Sequence, residues 1–437
     1  FKQKTAYEIM PSLVGSEMCI RDRWALETSA LAQHLSTEDR RRLFLPALTA
    51  YGDYLDRVNR AFAEVVKRQG WQPTQQTLWQ EVTGRKRTAV FFVDALRYDL
   101  AQYLKQKVAS EVSFEVKPVM TVLPSITEVG MAALLPGAEE GLSVAVEGER
   151  LAVRIGDVSV SSLNERKAYL EHQLGKRGKV VALEELERED LGQVQLLVVF
   201  CRQIDEFGSF VADLHPQGLL DMTEQIARSV RYVANRGFER IYVAADHGFL
   251  FVPPEVRPSV SSPQEAAILK RRFGLGCQHE GSFNARMEDL GLKGSVPLSF
   301  PPGLTVFGLQ GGIPSFLHGG LSLQECVIAF LKGIPSARPN KVEVKMLLPE
   351  SITSRVVLVR LRAEASSILD RPRKVRVTVG EKTSEVREMS PGSAQAEVSF
   401  TWLDFDAEPP SKVVVKLLDA DTGEVLQEQW LKVKIIV

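Results

Sequence analysis

Residues 88–94 read T-A-V-F-F-V-D, six residues without a charge and then an aspartate. An apolar run this short has the length of a strand, and its lack of polar alternation marks a strand covered on both faces. A helical pattern follows from Leu96 to Leu104. The same layout returns at residues 196–200, which lead through a polar turn around Asp205 to a helix face of Leu219, Met222, Ile226, Val230 and Val233. Gly237 stands where that helix needs its C-terminal cap. A third run, residues 241–245, ends directly in Asp246-His247-Gly248, and the shorter run 180–183 completes the set. Strands alternating with helices predict an α/β fold, a mostly parallel sheet flanked by helices. Such sheets gather their chemistry at the carboxyl ends of the strands.

Outward from this core the pattern changes on both sides. Residues 24–80 carry a helical repeat, with Leu31, His34, Leu35, Leu43, Leu45, Leu48 and Tyr51 spaced by threes and fours. Arg40-Arg41-Arg42 follows Glu38 and Asp39 there and reads as a solvated face. Before it, KTAYEIMPSLVGSEMCIRDR (residues 4–23) resembles a peptide that recurs at the ends of unrelated translated metagenomic fragments. Residues 1–23 are therefore expected to be a non-native assembly artefact, with the protein's own sequence starting near Trp24 and lacking what preceded it. On the other side, residues 342–347, 355–362, 374–379, 397–402, 412–417 and 425–436 read as strands. Asp421-Thr422-Gly423 is a hairpin turn between the last two, and residues 340–437 are expected to form a β-sandwich. Residues 335–340, with two prolines and small polar residues, read as the linker. The central domain then runs from 81 to 335.

Composition bounds the function. A chain of 437 residues predicts about three domains at ~150 residues each. Its 44% hydrophobic and 25% charged residues exclude disorder and collagen-like repeats. No apolar run approaches the ~20 residues of a membrane-spanning helix, so no membrane partner is expected. With 54 basic and 55 acidic side chains, gross charge gives no reason to bind nucleic acid, although a local basic groove remains open. Cys19, Cys201, Cys277 and Cys326 include no C-x-x-C pair and read as isolated reduced thiols. The opening residues show no secretory pattern, and the cytoplasm is the expected compartment.

The strand ends carry the chemistry. Asp94 ends the first run; Pro124-Ser125-Ile126-Thr127 follows an extended stretch at 119–123 and opens an apolar helix. Asp205 lies in the turn of the next, Asp246-His247 ends the last, and His318 sits in a glycine-flanked loop, F-L-H-G-G. Taken singly, each has an ordinary reading: Asp94 and Thr127 as helix caps, and His34, His172, His215 and His279 as surface or core histidines. Together, three aspartates, histidine and threonine form a hard, oxygen-rich donor set that suits two divalent ions, with zinc favoured and manganese or magnesium as alternatives. Two such ions can hold the attacking and leaving oxygens of a displacement at phosphorus, and metal coordination is one of the few ways to activate a threonine.

Five blocks in order, TAVFFVDALRYD (88–99), LPSITEVGMAALLPG (123–137), RQIDEFG (202–208), VAADHGFLF (243–251) and FLHGGLSLQE (316–325), resemble the PglZ domain. That domain belongs to the alkaline phosphatase superfamily and occurs in BREX phage-defence systems; the resemblance covers residues 81–335. It implies an alkaline-phosphatase-like fold in which Asp94, Thr127, Asp246 and His247 hold one metal, with Thr127 as nucleophile, and Asp205 and His318 hold the other. One departure stands out: superfamily phosphatases often have a histidine four residues after the Asp205-type aspartate, where this chain has Ser209, and His215 or a water would have to substitute. Arg97 reads as a phosphoryl clamp or as an ion-pair partner within its helix. Ser322, Gln324 and Glu325 read as supports for His318 or as a helix cap, and Lys270-Arg271-Arg272 and Arg85-Lys86-Arg87 as surface charge or nucleic-acid contacts.

The leading expectation is a metal-dependent phosphatase or phosphodiesterase, extending to a nuclease, that works with other phage-defence proteins and with DNA as a further partner. The alternatives are a catalytically decayed scaffold that binds partner proteins or DNA, and a signalling domain that hydrolyses small oligonucleotides. The C-terminal sandwich, without a His, Asp or Cys constellation, reads as a docking module.

Overall fold

The computed structural model describes residues 37–82, 86–210, 216–252, 256–336, 341–354, 356–364, 371–390, 396–401 and 410–434. The expectations for residues 1–23, Leu31, His34, Leu35, Arg85 and His215 lie outside the described residues. The chain divides into two compact units, Phe1–Ser336 and Ala337–Val437. Among the described residues no helix is long and apolar enough to cross a membrane.

The first unit is built on a six-stranded sheet of β1 (Thr88–Val93), β2 (Val112–Met120), β3 (Gly178–Ala182), β4 (Leu196–Cys201), β5 (Arg240–Ala245) and β6 (Val327–Pro335), in the order β2-β6-β5-β1-β4-β3. β1 is central, in parallel register with β4 on one side and β5 on the other, and all six of its residues are buried. This is why the stretch 88–93 tolerates no charge: both faces are buried. β6 alone runs against the rest, antiparallel to β5 and β2, so the sheet is mixed and mostly parallel.

Two expectations are corrected here. Of the stretch 119–123, Val119 and Met120 end a longer strand, β2, whose Ser113 and Glu115 are exposed as befits a sheet edge, and 121–123 lie beyond it outside any strand. Pro335, assigned above to the linker, is the last residue of β6, paired with Val112. β6 itself follows a single helical turn, Leu323–Cys326, capped by Ser322.

Helices α1 (Thr37–Gln69), α2 (Tyr98–Lys107), α3 (Thr127–Ala133), α4 (Leu163–Leu174), α5 (Gln203–Phe210) and α6 (Pro216–Asn235) accompany the sheet. Leu55, Asn59, Phe62 and Val66 are buried along one side of α1; Leu45, expected to be apolar face, is exposed. Beyond α1, the buried Gln75 donates from Nε2 to the carbonyl oxygens of Ala245 (2.9 Å) and Asp246 (3.0 Å). Its Oε1 accepts from Thr121 Oγ1 at 2.9 Å. One amide thus ties the carboxyl end of β5 to the segment that follows β2.

The second unit contains β7 (Glu343–Leu347), β8 (Ser351–Ile352), β9 (Val356–Glu364), β10 (Arg373–Val379), β11 (Lys382–Thr383), β12 (Arg387–Met389), β13 (Ala396–Thr401), β14 (Lys412–Asp419) and β15 (Val425–Val433). They form two sheets, β7-β9-β13 and β8-β15-β14-β10-β11, with β12 also on β10. Val344, Met346, Val359 and Leu361 of one sheet share a core with Val375, Val377, Val415 and Leu417 of the other, which makes the unit a β-sandwich. The alternation along each strand sets one face to that core and the other to solvent.

α3 lies so close to the end of β5 that a Cβ on Gly130 would fall 2.7 Å from the Asp246 carbonyl oxygen and 3.0 Å from its Cβ. Gly130→Ala is therefore expected to destabilise the chain by about 1–3 kcal/mol, because neither backbone can yield cheaply. Chemical denaturation of the variant checks it, and unchanged stability would contradict this packing.

Candidate metal centre

The centre is assembled from the carboxyl ends of β1 and β5, the start of α3, the helix after β4 and one returning loop. Asp94 directly follows β1, and its own N–H continues the ladder to Cys201. Ala95 then turns into the left-handed region, φ 60°, the one described non-glycine residue with positive φ. That strained turn aims its N–H at Asp246 Oδ1, 2.9 Å away. The same oxygen accepts from the His247 N–H at 2.7 Å. Asp246 is fully buried, and its other oxygen, Oδ2, has no hydrogen-bond partner.

The His247 ring fixes the next step. Its Nδ1 lies 2.9 Å from the Gly248 carbonyl oxygen, which can only accept, so the ring hydrogen sits on Nδ1. Nε2 of the neutral ring then carries a lone pair. It faces Thr127 Oγ1 at 3.2 Å, Asp246 Oδ2 at 3.3 Å and Asp94 Oδ1 at 3.5 Å. Thr127 Oγ1 is also 3.2 Å from Asp94 Oδ1. Thr127 is the first residue of α3 and caps nothing, which corrects its reading as an N-cap.

Asp205 on α5 and His318 meet beside this group, His318 Nε2 lying 3.4 Å from Asp205 Oδ1. Oδ1 of Asp205 is a second buried oxygen without a hydrogen-bond partner. The rings of His318 and His247 stack at 4.3 Å with 8° between their planes. His318 is oriented by the Ser125 carbonyl, 3.4 Å from Nδ1, and not by Ser322, Gln324 or Glu325. Those three do other work. Ser322 caps its helical turn, Gln324 accepts from Asn59, and Glu325 binds the Gly320 N–H at 2.9 Å and the fully buried Arg272 at 2.8 Å. Arg272, expected on the surface, is therefore the clamp of the His318 loop. The loop passes so near it that a Cβ on Gly320 would lie 2.7 Å from Arg272 Nε.

Other basic residues are also structural. Arg97 makes a two-bond ion pair with Asp99 at 2.7 and 2.6 Å. Arg87 donates to the carbonyls of Val194 and Arg236 and lies over Phe238. Ser209 is exposed one helical turn after Asp205. It lines a cleft of about 700 Å³ together with Ile126, Glu128, Arg150, Lys270 and His318. Gln75, Ala95 and Arg272 all position the centre without a signal in the sequence, and Glu325, read there as a support for His318, acts through Arg272 and the Gly320 N–H.

The donors make two groups whose ligand atoms lie within 4.8 Å of one another: Asp94, Asp246 and His247, and Asp205, His247 and His318. Without a cation their electrostatics conflict. Burial, then the charges of Asp246 and Asp205, holds the Asp94 carboxyl well above its ordinary range. Burial raises Asp246 to about 6 against the pull of two N–H donors, and lowers His247 to about 3. Lone pairs and carboxylate oxygens without hydrogen-bond partners converging at one place fit a divalent cation, whose charge removes the conflict.

Residues 75–332, more than half of the chain, match the BREX system PglZ alkaline phosphatase-like domain, and the chain belongs to that family. It is 28% identical over 312 residues to the alkaline phosphatase-like protein BrxZ of Escherichia coli, covering 64% of this chain and 36% of that protein. It is 27% identical over 303 residues to the alkaline phosphatase-like protein PglZ of Bacillus cereus, covering 63% and 34%. The chain thus spans about a third of the length of these curated relatives. Among solved structures, murine ectonucleotide pyrophosphatase/phosphodiesterase 5 aligns with a TM-score of 0.39 at 10% identity, over 57% of this chain and 88% of that one. Phosphonoacetate hydrolase from Sinorhizobium meliloti aligns at 0.38 and 10%, over 57% and 90%.

Protons and a cation compete for these oxygens, which gives a pH signature. In the metal-free protein the raised Asp246 pKa contributes stability below its ordinary 3.8 that is lost as pH rises through about 6. A cation needs the deprotonated carboxylate, while His247 stays neutral and does not compete. The rise in Tm on adding zinc should therefore be largest near about pH 7.5 and shrink as pH falls through about 6. Differential scanning fluorimetry reads it; a zinc effect that is absent, or equal at both ends, contradicts the site.

Proposed function

We propose that this PglZ-family chain is a metal-dependent phosphoester hydrolase with Thr127 as its nucleophile. The observation that carries the reading is the single point toward which Asp94 Oδ1, Asp246 Oδ2, His247 Nε2 and Thr127 Oγ1 are all directed. Held there, a divalent ion supplies a Lewis acid that makes a threonine hydroxyl reactive at neutral pH and neutralises charge at phosphorus.

The chain's own residues supply the rest. Asp94 accepts the Thr127 hydroxyl hydrogen and so fixes the direction in which Oγ1 presents its lone pairs. Thr127 is half-buried, and its neighbours Ile126 and Glu128 line the cleft, so a phosphoryl group entering from the cleft meets Oγ1 first. Oγ1 bonds to phosphorus as the ester bond to the leaving alcohol breaks, the hydroxyl proton leaving with the alcohol, and water then cleaves the Thr127 ester to release the phosphate monoester and restore the hydroxyl. A cleft of about 700 Å³ accepts a substituent the size of a nucleotide, with Arg150 and Lys270 available to a second anionic group. These features favour a phosphodiester over a small monoester.

The second metal position is poorer than the first. Because His247 Nδ1 is committed to Gly248, its one remaining nitrogen serves one ion at a time. Asp205 and His318 are then the described ligands left for the other, and Ser209 stands where a histidine was expected. The phage-defence setting, with other BREX proteins and DNA as partners, is part of the proposal and is supported by the family's description and the names of the two relatives.

Hydrolysis of bis-p-nitrophenyl phosphate with zinc, manganese or magnesium tests the reading. Thr127→Ala should lower turnover at least about a thousandfold while costing no more than about 1 kcal/mol of stability. Asp246→Asn keeps an acceptor for the Ala95 and His247 N–H groups, so it should fold, yet lose both turnover and metal-dependent stabilisation. No turnover by wild type with any of the three metals, together with phage restriction that survives both substitutions, would establish the scaffold reading instead.

A further inference from the structure

The outward face of the larger sheet in the second unit has an unusual composition. Along β10 the buried residues are Val375, Val377 and Val379, which turns Lys374 and Arg376 outward. Along β14, Val413, Val415 and Leu417 face the core and Lys412, Val414 and Lys416 face out. Register then places Trp430 beside Val414, Lys432 beside Lys412, Glu428 beside Lys416, and Glu388 beside Lys374. Five cations and two anions therefore share one face with a tryptophan that is 62% exposed. The chain as a whole carries a net charge of −1, so this basicity is local.

Two features of the face are costly for the protein alone. Lys412 and Lys432 stand directly opposite each other across a strand pair, where like charges repel. Of the five cations Lys416 alone has an acidic partner on the face, Glu428 at 3.1 Å; Lys374, Arg376, Lys412 and Lys432 form no ion pair among the described residues. The indole of Trp430 leaves an aromatic surface in water amid this charge. An anionic ligand with flat aromatic groups relieves both costs at once.

We propose that this face binds single-stranded nucleic acid, the phosphates meeting Lys374, Arg376, Lys412 and Lys432 and an unpaired base stacking on Trp430. A pleated sheet offers an open platform of this kind, and stacking on an aromatic side chain is tolerant of sequence because every base has a π-face. Charge complementarity selects a polyanion, and the exposed indole selects one with accessible bases; a duplex keeps its bases stacked inside. The inference does not depend on hydrolysis by the first unit, since none of these residues belongs to the candidate metal centre.

Fluorescence anisotropy of the full chain with a labelled twenty-nucleotide oligo-dT, its integrity checked on a gel, tests the assignment. Binding should weaken with salt with a log–log slope near about −3, since about 0.7 counterion is released per phosphate contact on a single strand. Trp430→Ala should weaken binding about 5- to 100-fold, the range of one lost base stack, and Trp430→Phe should restore most of it. Replacing Lys412 and Lys432 together by glutamate should lower affinity further and flatten the salt slope by at least about 1. All substituted side chains are exposed, and unchanged Tm shows that each variant folds. The proposal is overturned if oligo-dT fails to bind at low salt, if Trp430→Ala binds as wild type does, or if duplex DNA or poly-glutamate competes as well as the single strand. The last result would mark a general polyanion or acidic-protein surface.

Discussion

Oδ2 of Asp246 is the atom on which the arrangement of the first unit turns. It belongs to a fully buried carboxylate whose other oxygen is already bound by two N–H groups, and it has no hydrogen-bond partner of its own. A buried charge without a partner costs several kcal/mol on general grounds, and this one lies among further acceptors rather than donors. The surrounding structure holds it there. Ala95 is strained into φ 60° to bind Oδ1, Gln75 grips the carbonyls at the end of β5, and Gly130 lets α3 approach to the distance at which Thr127 joins the group. Rigidity of this kind around an unsatisfied anion is what the proposed cation would need.

How far the sequence reveals this depends on whether a residue's surroundings are local. β1, β4 and β5 are legible because a strand under two layers of helix must be apolar throughout, and their terminal aspartates stand out against that background. Asp94, Thr127, Asp205, Asp246, His247 and His318 are legible as a candidate site only in combination, because each taken singly has an ordinary reading as a cap or a core residue. β6 is not, because its apolar run follows a capped helical turn and one-dimensional pattern cannot show that the turn ends after four residues. Arg272 and Glu325 are 53 residues apart, and nothing near either announces that they neutralise each other in the core. Ala95 is equally silent, since positive φ is signalled by glycine and this position has none.

The two units use charge in opposite ways. In the first, acceptors converge at the foot of a cleft, and the partner they fit is a small cation. In the second, donors spread over an open sheet around an exposed indole, and the missing partner is a large anion. Each inference rests on the same principle, that a folded chain does not keep like charges together without something to answer them. The family match covers residues 75–332 and therefore speaks to the first unit alone. Because the chain spans about a third of its curated relatives, the substrates and partners of the whole protein are proposed on the chemistry of these surfaces.

The demand for a cation is the central claim, and elemental analysis of the full chain, supplied with zinc at about pH 7.5 and then dialysed, tests it most directly. The account predicts about one equivalent of metal that survives dialysis, with a second position filled only partly, and loss of the tight equivalent in Asp94→Asn. A wild-type chain that retains no metal, or an Asp94→Asn variant that retains as much as wild type, would contradict it.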